Sequence, residues 1–356
     1  MTAAWAIPLF IVTLTFLVAI HELGHMIVAK RSGVKVEEFG IFMPPRIWAK
    51  QIGETTYSIN SIPLGGFCKM LGEEDPSDPR SLAAQSAGTR LMILSAGCLV
   101  MLIFPIILFT CVYMVPHDVV IGAEGIEIAT VVQDSPAYNA GMQKGDEVFS
   151  VNGTAVTTLS EFKQLTDANL GSEITIVVQR DAQQKELKMT PRKNPPVGQG
   201  ALGIKLGYAK AITKTETEPP WTAARLGLEK TKDTIVAFKD GIWALASQEI
   251  PFEPGGVIAA GQATTEIAKK GWEQLAIWAG ALSVALGLIN LFPVPALDGG
   301  RIAFVVLEII RRGKRISPQK EAMIHTIGFI LLIAFMVFVA FQDVDRIIQG
   351  KSLLPE

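Results

Sequence analysis

Four long apolar runs punctuate the chain. Ala3–Ile20 is eighteen residues without a charge and leads straight into His21-Glu22-Leu23-Gly24-His25. Leu91–Val115 gives twenty-five uncharged residues and Leu275–Leu297 twenty-three. Ala322–Gln342 is the fourth, with His325 as its only ionisable group. Each approaches or exceeds the roughly 20 residues that cross about 30 Å of hydrocarbon. The pattern predicts four transmembrane helices, assigned to 1–30, 91–115, 273–300 and 322–342. Pro105 predicts a kink, which membrane helices tolerate. The first run is expected to stay in the protein. No Lys or Arg precedes it, no A-x-A site follows, and the polar pentapeptide continues from its end.

The intervening segments read differently. In 31–90, Val34, Val36, Phe39 and Ile41 sit at strand-like positions, and Thr55–Ile59 is a second strand candidate with Gly53 near the turn. In 116–193, Ile126–Val132 and Ile174–Gln179 are rich in β-branched residues. Short helices are expected near Ser135-Pro136-Ala137 and over Leu159–Ala168. Gly145-Asp146 and Asn152-Gly153 mark turns. Together these predict a small α+β domain inserted between spans. Pro195-Pro196, Gly198 and Gly200 predict a linker within 194–272. Trp221–Gln248 then has helical spacing, with Leu226, Ile235, Phe238, Ile242 and Leu245 among lysines. It fits an amphipathic helix at the membrane surface or one packed on the small domain. A short loop, 301–321, and a tail, 343–356, complete the chain.

Composition agrees with a membrane protein. The 356 residues are 49% hydrophobic and only 19% charged, against about 25% charged in soluble domains. Lys plus Arg is 32 and Asp plus Glu 34, a net charge of −2, which excludes nucleic acid as a natural partner. Three cysteines, Cys68, Cys98 and Cys111, make no disulfide framework. Basic residues collect in 31–90 and 301–321. The positive-inside rule then puts both loops in the cytoplasm and the 116–272 segment outside it.

The pentapeptide carries the chemistry. H-E-x-x-H on a helix projects His21 and His25 from one face, one turn apart, and sets Glu22 beside a bound divalent metal. Neutral imidazoles suit zinc, and a catalytic zinc keeps three protein ligands and a water. Ionisable groups at the end of an apolar span are costly unless paired or functional. Asp298 is the only acid between Gln274 and Val306 and is the candidate third ligand. Pro293 and Pro295 break the third span, Gly299-Gly300 lets the backbone turn, and Asn290 offers an amide to substrate. The plainer reading leaves Asp298 solvated beside Arg301. His117 and His325 are alternative ligands. His117 falls outside by the topology argument, and an ordinary hydrogen-bonded role suits His325 better.

H-E-L-G-H in the first span with Asn290-Leu291-Phe292-Pro293-Val294-Pro295-Ala296-Leu297-Asp298-Gly299 in a late one resembles the site-2 proteases, the intramembrane zinc metalloproteases. Pro63-Leu64-Gly65-Gly66-Phe67-Cys68-Lys69-Met70 is similar to a run in the membrane-reentrant β-hairpin of bacterial members. Ser135-Pro136-Ala137, Ala140-Gly141-Met142, Gly145-Asp146 and Val151-Asn152-Gly153 resemble a permuted PDZ domain. The resemblance implies a polytopic α-helical membrane protein of four transmembrane helices. It adds a reentrant β-hairpin and one inserted extracytoplasmic α+β PDZ domain. It implies Zn2+ held by His21, His25 and Asp298, with Glu22 catalytic. Asn290, Pro293, Pro295, Gly65 and Gly66 are expected to bind substrate. Expected substrates are single-span membrane proteins such as anti-sigma factors, first cut outside the membrane, and remnant signal peptides. Membrane lipid surrounds the enzyme, and no oligomeric state is implied. The expected location is the bacterial inner membrane, with the active site near its cytoplasmic side. One departure stands out: Gly97-Cys98-Leu99-Val100-Met101 replaces the G-P-x-x-N stretch common in the family's second span. Rival readings are a membrane-anchored PDZ scaffold or chaperone with a structural or inactive metal site, and a metal transporter.

Overall fold

A computed structural model describes residues 6–196, 199–247 and 255–349. The chain divides into two compact units, one drawn from 1–115, 218–240 and 253–355, the other centred on 116–217.

The first unit opens with α1 (Ala6–Arg31), which carries the pentapeptide without interruption. Strands β1 (Val36–Ile52) and β2 (Thr55–Met70) follow as an antiparallel hairpin. The hairpin is folded on itself. Phe39 pairs with both Tyr57 and Cys68, and Ile41 with both Ile59 and Gly66. The local order is therefore 66–69, 38–41, 56–59, then 48–52, with the Gly66–Lys69 segment outermost. Helix α2 (Ala87–Met114) is next, and its N-cap Ser86 accepts from the Thr89 amide. Met26, Ala29, Val34, Val36, Cys68, Met70, Leu82, Ile93, Leu94 and Val305 form one buried core. That core fixes the pentapeptide end of α1 against the hairpin and α2.

The second unit contains β3 (His117–Val131), α3 (Pro136–Asn139), β4 (Glu147–Val151), β5 (Thr154–Ala155), α4 (Leu159–Ala168), β6 (Ile174–Arg180), β7 (Gln183–Met189) and β8 (Ile204–Glu216). The main sheet order is β7-β6-β4-β3-β8, with β5 paired to β4. Ile126, Ile128, Val148, Val151, Ile174, Ile176 and Val178 alternate into its core with Phe162 of α4. Helix α4 has a complete capping box between Thr158 and Glu161. Strand β8 pairs with β3 along nearly its whole length, from His117↔Glu216 to Val131↔Ile204. The pairing carries the second unit to Thr217. Pro195, Pro196 and Gly200 of the expected linker lie outside the strands, whereas β8 after them had no local mark, because its partner lies far upstream. Gly198 of that linker falls outside the described residues.

The chain continues with α5 (Pro220–Ala246), of which the residues up to Asp240 belong to the first unit, and the first unit resumes with α6 (Val257–Lys269), α7 (Trp272–Leu291), α8 (Asp298–Ile310) and α9 (Pro318–Ile348). Helix α5 approaches α2 in its first half. Ala223, Gly227 and Thr231 are buried, and Gly227 lies against the Ile106 carbonyl and Thr110 of α2. Gln248, the expected end of this helix, lies outside the described residues. Helix α7 stops at Leu291, since Pro293 and Pro295 have no N–H to continue it. Asp298 opens a separate helix, so part of the expected 301–321 loop is helical.

Four of the helices, Pro8–Arg31, Ala87–Met114, Trp272–Leu291 and Pro318–Ile348, are long and apolar enough to cross a membrane. Their exposed large apolar side chains, among them Phe16, Ile103, Leu331 and Phe338, suit lipid contact. Small residues set the close approaches between helices. Gly24 of α1 meets the Ala96 carbonyl, and Gly287 of α7 meets Met101 and the Cys98 carbonyl. Pro105 cannot donate to Met101 O, four residues back. Ser283 Oγ of α7 donates to that carbonyl instead, at 2.7 Å. The proline thereby fastens α7 to α2.

Candidate active site

His21 and His25 lie on one face of α1, with ring centroids 4.8 Å apart. Both are buried, at 8% and 4% exposure. Asp298 reaches them from the first turn of α8. Its Oδ2 is 2.9 Å from His21 Nε2 and 3.2 Å from His25 Nε2, and the two Nε2 atoms are 3.2 Å apart. Two donor atoms about 2.1 Å from a shared tetrahedral zinc stand about 3.4 Å from each other. The three atoms therefore have the spacing of a metal's donor set, and they form the one such His/Cys/Asp/Glu cluster among the described residues.

The neighbours explain the convergence. His25 Nδ1 lies 2.8 Å from the Ile93 carbonyl of α2, which orients the ring and leaves Nε2 facing Asp298. Gly97 of α2 faces both imidazoles, and a β-carbon there would overlap His25 and His21. Cys98 Sγ sits 3.8 Å from Asp298 Oδ2. Arg301, the nearest arginine in sequence to Asp298, pairs with Glu73 Oε2 at 2.6 Å. At the turn, a β-carbon on Gly299 would meet the carbonyls of Leu291 and Phe292, and one on Gly300 that of Val294. Gly299-Gly300 is therefore what lets α8 start tightly under the end of α7.

Two cavities meet at this cluster. One of about 440 Å³ is lined by Glu22, His25, Phe67, Cys68, Leu297 and Asp298, among others. The other, about 190 Å³, has His21, Glu22, Asn290 and Asp298 in its wall. Glu22 and Asp298 border both. Gly66 lies against Val18 and the Glu22 side chain, so the outermost hairpin segment passes beside the cluster. The structure thus brings together His21, Glu22, His25 and Asp298, with Asn290 and Gly66 adjoining. Gly65 takes a left-handed backbone at φ 72 and borders open space. Pro293 is exposed, while Pro295 packs on Gly300 and Gly328. His325 stands apart from the cluster, with Nδ1 3.1 Å from the Ala296 amide. His117 belongs to the other unit. The sequence marks Gly97 only as the start of the stretch that departs from the family pattern, and His325 only as an alternative ligand; the packing of the first on both imidazoles and the bond of the second to the Ala296 amide have no local signal.

Comparison with known proteins agrees with this geometry. The model of "Peptidase family M50" matches residues 9–335. A putative zinc metalloprotease of Clostridium perfringens (strain 13 / Type A) is 32% identical over 333 residues, covering 92% of this chain and 95% of its own. The zinc metalloprotease RasP of Oceanobacillus iheyensis is 26% identical, with 95% and 98% covered. Among solved structures, the PDZ domain of an SdrC-like protein from Listeria monocytogenes covers 25% of this chain and 93% of its own, at 20% identity and a TM-score of 0.22. The chain belongs to peptidase family M50, the site-2 proteases, a family of zinc metalloproteases.

Proposed function

We propose that the protein hydrolyses peptide bonds within transmembrane segments of single-span membrane proteins, using a zinc ion held by His21, His25 and Asp298. The observation that carries this reading is the convergence of two imidazole nitrogens and one carboxylate oxygen beside Glu22, at the end of an apolar helix. A structural site has no use for the glutamate, which favours an enzyme over a membrane-anchored scaffold. Zinc, when bound, polarises the scissile carbonyl and lowers the pKa of its water. Glu22 takes the proton of the attacking water and delivers it to the leaving amine.

A transmembrane helix hides its carbonyls in its own hydrogen bonds, so it must be unwound before attack. The Gly66–Lys69 segment, outermost in the hairpin and beside Glu22, offers an edge on which an extended substrate adds as a further strand. Gly66 brings no side chain to the start of that edge, Gly65 turns the chain into it, and Asn290 presents its amide across the second cavity. In this reading the hairpin is membrane-reentrant. Pro293 and Pro295 shape the loop before Asp298.

The second unit is read as an extracytoplasmic PDZ domain that excludes substrates with bulky outer parts. Anti-sigma-factor-like proteins trimmed by a first cut, and remnant signal peptides, meet that filter. The basic loops, read by the positive-inside rule, support an active site near the cytoplasmic face of a bacterial inner membrane. The test is Glu22→Gln. The variant keeps its zinc and loses at least about 100-fold in cleavage of a model membrane substrate. Turnover at the wild-type rate refutes the assignment.

A further inference from the structure

We infer that His325 is a positioning residue for the metal centre: it holds the loop that delivers Asp298 to the two histidines. The inference rests on the proposed ligand role of Asp298. Loop 292–297 joins α7 to α8, and its geometry decides where the Asp298 carboxylate falls. Ala296, two residues before Asp298, adopts a left-handed backbone at φ 80. Alanine disfavours that region because its β-carbon crowds the following carbonyl, whereas glycine enters it freely. The residue stays there because its N–H, turned out of the loop, donates to His325 Nδ1 at 3.1 Å.

Helix α9 grips the same loop one turn along. Gly328 lies so close to Pro295 that a β-carbon would overlap the proline ring. The His325 ring is itself fixed by Phe304 of α8, with centroids 5.4 Å apart. At its far end α9 is anchored by Asp343, which accepts from the amides of Gly256 and Ala259 at the start of α6. A transmembrane helix with little burial of its own is thus tied at both ends. The tie at His325 reaches the backbone of the ligand loop. His325 remains outside the donor set, and its contribution is one accepted hydrogen bond.

The experiment compares zinc affinity of the purified full-length protein, by competition with a chelating indicator, for wild type, His325→Leu, His325→Asn and Asp298→Asn. The absorption bands of the Co2+-substituted proteins report ligand geometry independently of activity. His325→Leu removes the acceptor at similar volume, and zinc binding should weaken by about 10-fold or more, with shifted cobalt bands. His325→Asn presents an amide oxygen near the Nδ1 position and should stay within a few-fold of wild type. Adding Ala296→Gly to His325→Leu should restore much of the loss, since glycine holds the left-handed turn unaided. Unchanged affinity and bands in His325→Leu overturn the inference. So do equal losses in the Leu and Asn variants, or no recovery on adding glycine. Asp298→Asn separates the two readings: if it binds zinc like wild type, the ligand assignment itself fails.

Discussion

Arg301 gives its guanidinium to Glu73 at 2.6 Å, leaving Asp298, three residues earlier, to face His21 and His25. That pairing separates the two sequence-level readings of Asp298. A carboxylate balanced by its own helix's arginine would be a solvated cap. One whose arginine is engaged elsewhere keeps its charge for the histidine cluster.

The closeness of α2 to the histidines is the least tolerant feature of the site. Gly97→Ala forces a β-carbon onto both imidazoles, and such overpacking costs about 1–3 kcal/mol. The rings must move, so the variant should insert in the membrane but lose at least about 10-fold in zinc affinity. Metal titration of the purified protein checks this.

The reach of the second unit changes how its role is tested. Removing 119–192 would strip β8 of its partner, since β3 and β8 pair end to end. His117 and Glu216 are paired neighbours, so a short Gly/Ser linker replacing 117–216 rejoins the chain cleanly. Membrane substrates with bulky, untrimmed outer domains should then be cut. Unchanged selectivity counts against a size filter.

Inside that unit, Asp146 has a fully buried side chain and binds Arg180 through contacts of 2.6 and 2.7 Å and the Gln143 amide at 2.8 Å. Burial raises its pKa, but Arg180 and the amide outweigh this and hold the carboxyl below its usual range. A carboxylate depressed on folding stabilises the domain above its unfolded pKa near 4, and the contribution fades as pH falls through the folded value. Asp146→Asn should therefore cost about 2 kcal/mol at neutral pH. The gap from wild type should be constant down to about pH 5 and close below about 4. Pulse proteolysis of β4 and β6 across pH reads it.

Much of this site was legible in the sequence because its signals are local. Two histidines four apart share a helix face whatever surrounds them, and a lone aspartate after an apolar run stands out by its cost. What could not be read depends on distant partners. Nothing near 204–216 announces its pairing with β3. Nothing near Gly97 says that histidines seventy-odd residues earlier press on it. Ser283 occupies the carbonyl freed by Pro105 only once α7 lies against α2. The Pro-x-Pro stretch did announce a break in the third span, but placing Asp298 in the first turn of a new helix required the glycines to pack under Leu291 and Phe292.

The central claim is that His21, His25 and Asp298 hold one zinc ion, and the direct measurement is the metal content of the purified full-length protein. The account predicts about one zinc per chain in wild type, and its loss in His21→Ala, His25→Ala and Asp298→Asn, with Glu22→Gln retaining it. Wild-type protein that binds no zinc, or ligand variants that keep a full complement, would contradict it.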